Sequence, residues 1–219
     1  MRTTRLLAVF GALLCSACGH VDVKASLDAY YAAQPCCSSF DELNYREISY
    51  PADLDFSIDD RTSVFDFGRS GKSRFVAFKL PDVGTPYRLD LRSYFMNDGT
   101  NGAVFFPLVT FLDAAKKPIY TSDAVELRFV DNLFSDEPFK PVRLRYVTEV
   151  SPRDRYIVIH TSSDLIESGR VVSTPEPVRV AASTTVPLAV PMLGPAGQRH
   201  REGLPVGSFK LRLEEEPKP

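Results

Sequence analysis

The chain has 219 residues, of which 44% are hydrophobic and 25% are charged, a globular balance that excludes wholesale disorder. Twenty-six Lys and Arg against 28 Asp and Glu give a net charge of −2, so no electrostatic argument favours nucleic-acid binding. The absence of tryptophan weakens any function that depends on indole stacking. The cysteines all fall near the N-terminus, at Cys15, Cys18, Cys36 and Cys37.

Residues 1–17 predict a secretory signal peptide. Arg2 and Arg5 precede an apolar run from Leu6 to Leu14, and two small residues follow. The run is about nine residues long, whereas a helix that crosses a bilayer needs roughly 20. The protein is therefore expected to be exported rather than held by a membrane-spanning helix.

Cys18 is the predicted site of a lipid anchor. The sequence Cys15-Ser16-Ala17-Cys18 resembles a bacterial lipobox, with Cys15 where leucine is usual. Cleavage by an ordinary signal peptidase after Ala17 is the alternative. Gly19 rather than an aspartate follows Cys18, and this favours the outer membrane over retention at the inner membrane. We expect a protein of the periplasm that is attached to the outer membrane.

Attachment is expected to come from the lipid alone. Removal of residues 1–17 deletes two arginines and no acidic residue, which leaves 24 basic against 28 acidic residues and a net charge of −4. A mildly acidic surface does not seek anionic headgroups, whereas a multiply acylated cysteine anchors stably.

Residues 18–50 are predicted to form a lipid-anchored segment with short helices that precedes a β-sandwich over residues 51–219. Val23–Gln34 has no glycine or proline, which predicts a helix that Pro35 ends. Ser39-Phe40-Asp41-Glu42 fits a capping box that opens another short helix.

From Ser49 onward the apolar residues alternate, and this predicts an antiparallel β-sandwich or jelly roll. Ser151-Pro152-Arg153-Asp154 is predicted to join two neighbouring strands as a hairpin, and Pro107 demands a bulge or an edge position. Between about residues 163 and 207, six prolines interrupt the pattern and predict a long Pro-rich excursion, in which only Val178–Val180 and Thr185–Val190 could be short strands. The predicted strands are Arg74–Leu80, Tyr87–Phe95, Val104–Leu112, Val125–Val130, Val142–Val150, Arg155–Ser162 and Phe209–Leu213.

Gly71-Lys72-Ser73 imitates the end of a phosphate-binding loop. Asp66 stands where that motif requires glycine, and a strand rather than a helix follows. A hairpin turn is the better interpretation.

No hydrolase motif is present in the sequence, which has neither Gly-x-Ser-x-Gly nor His-Glu-x-x-His. His20 lies beside the predicted anchor, His200 lies in the excursion, and His160 lies on an alternating strand, where a structural role is expected. Asp59-Asp60 and Asp136-Glu137 are interpreted as solvated surface rather than as a glycosidase pair. The chain is predicted not to be an enzyme.

The sequence predicts no metal and no cofactor. Asn97–Gly102 offers oxygen ligands for calcium but lacks the spacing of the helix-loop-helix site, so a strand connection is expected. Cys36 and Cys37 are the only thiols left if Cys15 is removed and Cys18 is acylated, and with no nearby histidine they are too few for a tetrahedral metal site. In an oxidising compartment a vicinal disulfide, buried thiols and an intermolecular link all stay open, with a structural role expected and a redox or partner-linking role as the alternative.

Several stretches together resemble the maltose operon periplasmic protein (MalM) family. The resemblance implies an exported, non-enzymatic accessory of maltodextrin use, linked to carbohydrate transport across the envelope, and it assigns no site residues. The stretches that carry it are Cys36–Leu43, Ser63–Phe67 with Gly71–Phe75, Ala77–Pro81, Arg199-His200 with Gly203, and Phe209–Leu213.

Asp90, Arg92 and Tyr94 form the predicted carbohydrate site. Sandwiches bind sugars where exposed aromatic rings lie beside hydrogen-bonding side chains, and Tyr94 falls on the polar face of its strand with Arg92 and Asp90. A tyrosine at the margin of a mixed core is the alternative. We expect an accessory that binds maltodextrin, or a partner such as a maltoporin or a periplasmic sugar-binding protein. The alternative function is an envelope interaction module with no sugar affinity.

Overall fold

The computed structural model of the protein describes residues 22–96, 102–131, 142–173 and 198–215. The predicted signal peptide, Cys18, His20, Asp136-Glu137, most of Asn97–Gly102 and the possible strands within Val178–Val190 lie outside these residues. In the described ranges no helix is long and apolar enough to cross a membrane. The same ranges hold no cluster of three or more His, Cys, Asp or Glu side chains suited to a metal ion.

Fourteen strands and two α-helices make up the regular structure of the described residues. The helices are α1, Val23–Ala32, and α2, Ser163–Ser168, and 3-10 turns lie at Phe40–Glu42, Gly68–Ser70 and Ala124–Glu126. The strands are β1 Tyr45–Glu47, β2 Ala52–Ile58, β3 Val64–Asp66, β4 Lys72–Arg74, β5 Val76–Lys79, β6 Tyr87–Tyr94, β7 Leu108–Leu112, β8 Pro118–Thr121, β9 Arg128–Asp131, β10 Val142–Val150, β11 Tyr156–His160, β12 Arg170–Ser173, β13 Gln198–Arg201 and β14 Gly207–Glu214.

Two five-stranded sheets face each other across the main core. The first sheet has the order β1-β5-β11-β7-β8 and the second has the order β2-β14-β6-β10-β9. Every pair is antiparallel except β1 and β5, which run parallel. Phe78, Phe111 and Ile157 of the first sheet share one apolar cluster with Leu91 and Phe209 of the second. The predicted mainly β, antiparallel fold with a short N-terminal helix is confirmed.

A second apolar cluster lies on the outer face of the first sheet. There Ala77, Leu112 and Val158 of the sheet pack with Phe65 and Phe75 of the β3–β4 region. The helix α1 joins this layer, because the Tyr30 hydroxyl donates a 2.5 Å hydrogen bond to the Lys72 carbonyl. The N-terminal segment thus packs on the sandwich and also adds β1 to its first sheet.

Four sequence predictions about the strands and their connections require correction. Ser151–Asp154 does form a turn, but it carries the chain from β10 in the second sheet to β11 in the first rather than closing a hairpin. Alternation specifies which face of a strand is buried and not which strand it pairs with. β7 begins only after Pro107, and the first half of Val125–Val130 is a 3-10 turn. The predicted excursion contains α2 and the β12–β13 pair.

Candidate functional site

The predicted carbohydrate residues lie side by side on the outer face of the second sheet. Asp90, Arg92 and Tyr94 alternate along β6, so their side chains point away from the main core, as the period-two pattern indicates. All three are nonetheless buried, with exposed fractions of 1%, 5% and 4%. A sugar would have to gain access to them before it could bind there.

Asp90 is the centre of an ion-pair network. Arg145 of the neighbouring β10 donates from Nε to Asp90 Oδ1 at 2.9 Å and from Nη2 to Oδ2 at 2.8 Å. Arg92 Nη2 donates to the same Oδ2 at 3.2 Å. Burial alone would raise the pKa of Asp90, but the hydrogen bonds from Arg145 and Arg92 outweigh it and lower the pKa. The carboxylate is therefore ionised and holds two arginines together.

The charged character of this face continues across the sheet to its edge. On β14, Lys210 lies 3.2 Å from Asp53 of β2, and the Arg212 Nε donates to the same carboxylate at 3.0 Å. Lys210 also lies 3.8 Å from Asp55. Pairing of opposite charges at cross-strand positions stabilises a sheet face that is not purely apolar. The arrangement suits a stable polar face better than a chemically reactive centre.

A different surface has the exposed aromatic ring that the carbohydrate prediction required. Ile119 and Tyr120 of β8 are 50% and 46% exposed, and Val125 in the next 3-10 turn is 67% exposed. These three residues, which we call the edge patch, are half of the six exposed large hydrophobic residues among the described residues. All three lie within one stretch of the chain, on β8 and the 3-10 turn that follows it, and the capping box of that turn holds the Tyr120 hydroxyl.

Tyr120 is held rigidly although its ring is exposed. Its hydroxyl donates to Glu126 Oε1, and the same oxygen accepts a 2.6 Å hydrogen bond from the backbone N–H of Asp123. The Asp123 side chain accepts in turn from the Val125 N–H at 2.9 Å, which completes a capping box. The ring of Phe111 lies beside that of Tyr120, with centroids 6.3 Å apart and planes 26° apart.

The hydroxyl of Tyr120 is a donor that stays protonated. The hydrogen bond to Glu126, partial burial and the negative charge of Glu126 each raise the pKa of Tyr120 above its usual range. Asp123, whose side chain is 69% exposed, lies 3.9 Å from the Arg170 guanidinium. The Tyr120 hydroxyl is therefore bonded to one carboxylate, and the same capping box carries a second carboxylate that pairs with a cation.

The outer edge of β8 is poorly suited to accept another strand. Pro118 has no N–H to donate, and the pairing register with β7 shifts between Phe111 and Leu112, so the strand is irregular there. Prolines, lysines and bulges protect sheet edges from strand addition, and Lys116 and Lys117 precede Pro118. The edge patch can therefore be expected to act through its side chains.

Gly71-Lys72-Ser73 closes a hairpin and does not resemble a phosphate site. β3 pairs with β4 in antiparallel fashion. Gly71 adopts a φ of +73°, which favours glycine, and the Cβ of any other residue there would lie only 2.2 Å from Ser163 Oγ. The Lys72 ammonium donates to the carbonyls of Tyr31 and Ala33 at 2.8 and 3.1 Å. It thus occupies the negative end of α1, and the predicted hairpin turn is confirmed.

His160 has the buried structural position that the sequence predicted. It is 1% exposed, its Nε2 lies 2.9 Å from Thr110 Oγ1, and its Nδ1 lies 2.8 Å from the Thr161 carbonyl. Burial lowers the pKa of His160 to about 4, and the hydrogen bond to Thr161 opposes this only in part. His200, in contrast, is exposed, with Nε2 2.6 Å from the Ser168 carbonyl.

The paired cysteines form a disulfide between adjacent residues, one of the three states that the sequence left open. The Cys36 N–H donates to the Val64 carbonyl at 2.8 Å, which fastens the loop to β3. Cys36 is exposed, whereas Cys37 is half-buried against the cluster on the outer face of the first sheet. The pair thus contacts β3 through a backbone hydrogen bond and that cluster through Cys37.

Sequence analysis missed the edge patch. β8 has only four residues, all exposed, and follows a turn, so no alternation distinguishes it from a loop. The spacing of Asp123 and Glu126 is a capping-box signal that could have located the turn beside Tyr120.

The fold and surface define a two-layer antiparallel β-sandwich with a buried ion-pair network on one outer face and an open aromatic patch at one edge. A family model described as maltose operon periplasmic protein precursor (MalM) matches residues 70–213. The match covers more than half of the chain, and the chain belongs to this family of periplasmic maltose-operon proteins. No curated protein and no solved structure matches it.

Proposed function

We propose that this protein is a non-catalytic accessory of maltodextrin uptake that acts by binding a ligand at the edge patch. The family description supports the pathway and the compartment. Binding at the edge patch is supported by one observation: Tyr120 is 46% exposed while its hydroxyl is hydrogen-bonded to Glu126. A lipid anchor at Cys18 would hold the protein, and with it this surface, in the periplasm beside the outer membrane.

Rigidity is what makes the edge patch a binding surface. A tyrosine loses few torsional degrees of freedom on binding, and fixing its hydroxyl beforehand reduces that loss further. Ile119, which precedes Tyr120 in the chain, and Val125, which follows it, are exposed apolar residues that a ligand can also contact. The patch therefore offers a preformed contact area to maltodextrin or to a transport partner such as a maltoporin or a periplasmic sugar-binding protein.

Direct binding measurements test this function. The purified protein, immobilised through its N-terminus, is titrated with maltoheptaose, with a maltoporin in detergent and with a periplasmic maltodextrin-binding protein. We expect at least one of them to bind with a Kd of about 1 mM or tighter. Val125→Asp should abolish that binding, because it places a charge in the apolar patch.

Val83→Asp is the matched control, since Val83 is an exposed valine on a different loop, and this variant should bind as the wild type does. Absence of all three interactions, or equal binding by Val125→Asp, would refute the proposed function.

A second candidate function is sugar binding at Asp90, Arg92 and Tyr94. It is favoured by the finding that these side chains share one face with Arg145, so that carboxylate and guanidinium groups converge. Tyr94→Phe leaves the ring in place and removes only the hydroxyl. Weaker maltoheptaose binding by this variant, with unchanged binding by Val125→Asp, would establish this site in place of the edge patch.

A further inference from the structure

We infer that the ligand of the edge patch is a dextrin chain, with Tyr120 as its stacking residue and Glu126 as the residue that positions that ring. This inference rests on the proposed function and names the chemistry of the ligand. A chain of glucose units combines apolar C–H faces with hydroxyls that both donate and accept. The site must therefore combine an open aromatic face with hydrogen-bonding groups of both kinds.

The ring of Tyr120 meets the first requirement. Its face carries the partial negative charge of the π-system, which attracts the C–H groups of an apolar sugar face. The hydroxyl is fixed by Glu126 Oε1, so the ring is held in one orientation while 46% of the residue stays exposed. Ile119, the preceding residue of β8, and Val125, in the capping box that contains Glu126, are exposed apolar residues as well.

The second requirement, hydrogen-bonding groups of both kinds, is met by Glu126, Asp123 and Arg170. Among the described residues, the Tyr120 hydroxyl and the Asp123 N–H both donate to Oε1 of Glu126, so Oε2 can accept from a sugar hydroxyl. Asp123 is a further acceptor, and the Arg170 guanidinium beside it is a donor. The Glu126 acceptor thus lies at the Tyr120 hydroxyl, and the Asp123 acceptor with its neighbouring donor belongs to the same capping box.

The same features disfavour a protein ligand. The cores of protein–protein interfaces are depleted of charged residues, whereas Tyr120 has Glu126 bonded to its hydroxyl and Asp123 bonded to the same carboxylate through its N–H. A partner that adds a strand would need the edge of β8, where Pro118 and the register shift interrupt the backbone. A dextrin needs neither a contact core depleted of charge nor a regular strand edge.

Titration of maltoheptaose into the whole protein and its variants, followed by calorimetry, tests the inference. Tyr120→Ala removes the ring and should weaken binding at least about tenfold. Tyr120→Phe keeps the ring but frees it from Glu126, so a loss of about two- to fivefold is expected, and Glu126→Ala should give a loss of similar size. Tyr31→Ala, which removes a tyrosine that is 50% exposed on α1, should bind as the wild type does.

A spectroscopic readout separates stacking from a structural effect. Saturation transfer from the aromatic protons to maltoheptaose should fall in Tyr120→Ala and persist in Tyr120→Phe, while the thermal unfolding of both variants stays near that of the wild type. Cellohexaose, a glucan with the opposite linkage geometry, serves as the specificity control and should bind less tightly than maltoheptaose.

The outcomes distinguish the two proposals. If no dextrin binds but a maltoporin or a periplasmic binding protein does, and Val125→Asp abolishes it, the proposed function stands and the dextrin inference is overturned. Dextrin binding that Tyr120→Ala leaves unchanged also overturns it, because the stacking residue would be elsewhere. If neither dextrin nor protein binds, the proposed function itself falls.

Discussion

The imidazole of His160 lies flat against the ring of Phe67, with centroids 3.7 Å apart and planes only 7° apart. The Thr161 carbonyl can only accept, so Nδ1 of His160 carries the proton and donates, while Nε2 accepts from the Thr110 hydroxyl. A neutral histidine on β11 thereby joins β7 and the β3–β4 region. The outer layer of the first sheet depends on this ring staying uncharged.

Stability should consequently fall in acid because of His160. Its pKa is about 4 in the folded protein against 6.5 for an ordinary histidine, so the unfolded chain takes up the proton first as the pH falls. The stabilisation is complete above pH 6.5 and is lost progressively down to pH 4, by about 3 kcal/mol in total. Urea unfolding at pH 7.0 and 4.5 measures this loss.

His160→Gln removes the titrating ring and should flatten the dependence on pH between 6.5 and 4, at some cost in stability at pH 7. His200→Gln changes an exposed histidine and should keep the wild-type slope. An unchanged slope in His160→Gln would show that other groups account for the acid sensitivity.

Alternation predicted the positions of two long strands well and the partners of the strands poorly. Tyr87–Phe95 and Val142–Val150 correspond closely to β6 and β10, because each strand has one face in the main core. β1 and β3 have three residues each and were missed, since so short a run contains little periodic signal. They are strands because β5 and β4 already provide edges for them to pair with.

The candidate site shows the same limit. That Asp90, Arg92 and Tyr94 share a face follows from their spacing, but their burial depends on which strands lie beside β6. Arg145 reaches Asp90 only because β10 is the neighbour of β6, and strand order is not contained in local patterns. For Tyr120, the exposed ring depends on the packing of a four-residue strand at a sheet edge.

Asp90→Asn should destabilise the protein by about 3 kcal/mol or more. The substitution removes the negative charge between Arg92 and Arg145 and leaves two cations near each other, of which Arg92 is buried and Arg145 is partly exposed. Removing one partner is the costly way to break a buried ion pair. Asp53→Asn is the matched control, because Asp53 also pairs with two cations but its side chain is 54% exposed. Its cost should stay below about 1 kcal/mol.

Guanidinium unfolding at pH 7 measures both variants. Equal, small losses would mean that water reaches Asp90 readily, and the carbohydrate prediction for Asp90, Arg92 and Tyr94 would gain support.

Lys72→Met should loosen α1 without unfolding the sandwich. The ammonium satisfies the Tyr31 and Ala33 carbonyls at the end of the helix and lies 5.2 Å above the ring of Tyr30, and methionine keeps only the apolar stem. We expect a loss of about 1–2 kcal/mol, from the helix-end interaction and the hydrogen bonds. Hydrogen exchange should accelerate most in the amides of α1.

The control for this variant is Lys24→Met. Lys24 pairs with Asp28 on the same helix, but its side chain is 88% exposed, so the change should cost only a few tenths of a kcal/mol. If Lys72→Met left exchange in α1 unchanged, the helix would be held by other contacts, such as the hydrogen bonds from the Tyr30 hydroxyl to the Lys72 carbonyl and from Ser26 Oγ to Asp60 Oδ1.

The cysteine pair should be found as a disulfide within a single chain. In the unreduced protein neither Cys36 nor Cys37 should react with iodoacetamide, whereas reduction followed by alkylation should add two adducts to the peptide that contains them. Because the two residues are adjacent, the bond closes no loop between distant parts of the chain, so the protein should migrate as a monomer with or without reductant. A dimer on a non-reducing gel that disappears in Cys36→Ser/Cys37→Ser would instead identify the pair as an intermolecular link. Two reactive thiols in the native protein, before any reductant is added, would identify them as free cysteines and would contradict the disulfide between Cys36 and Cys37.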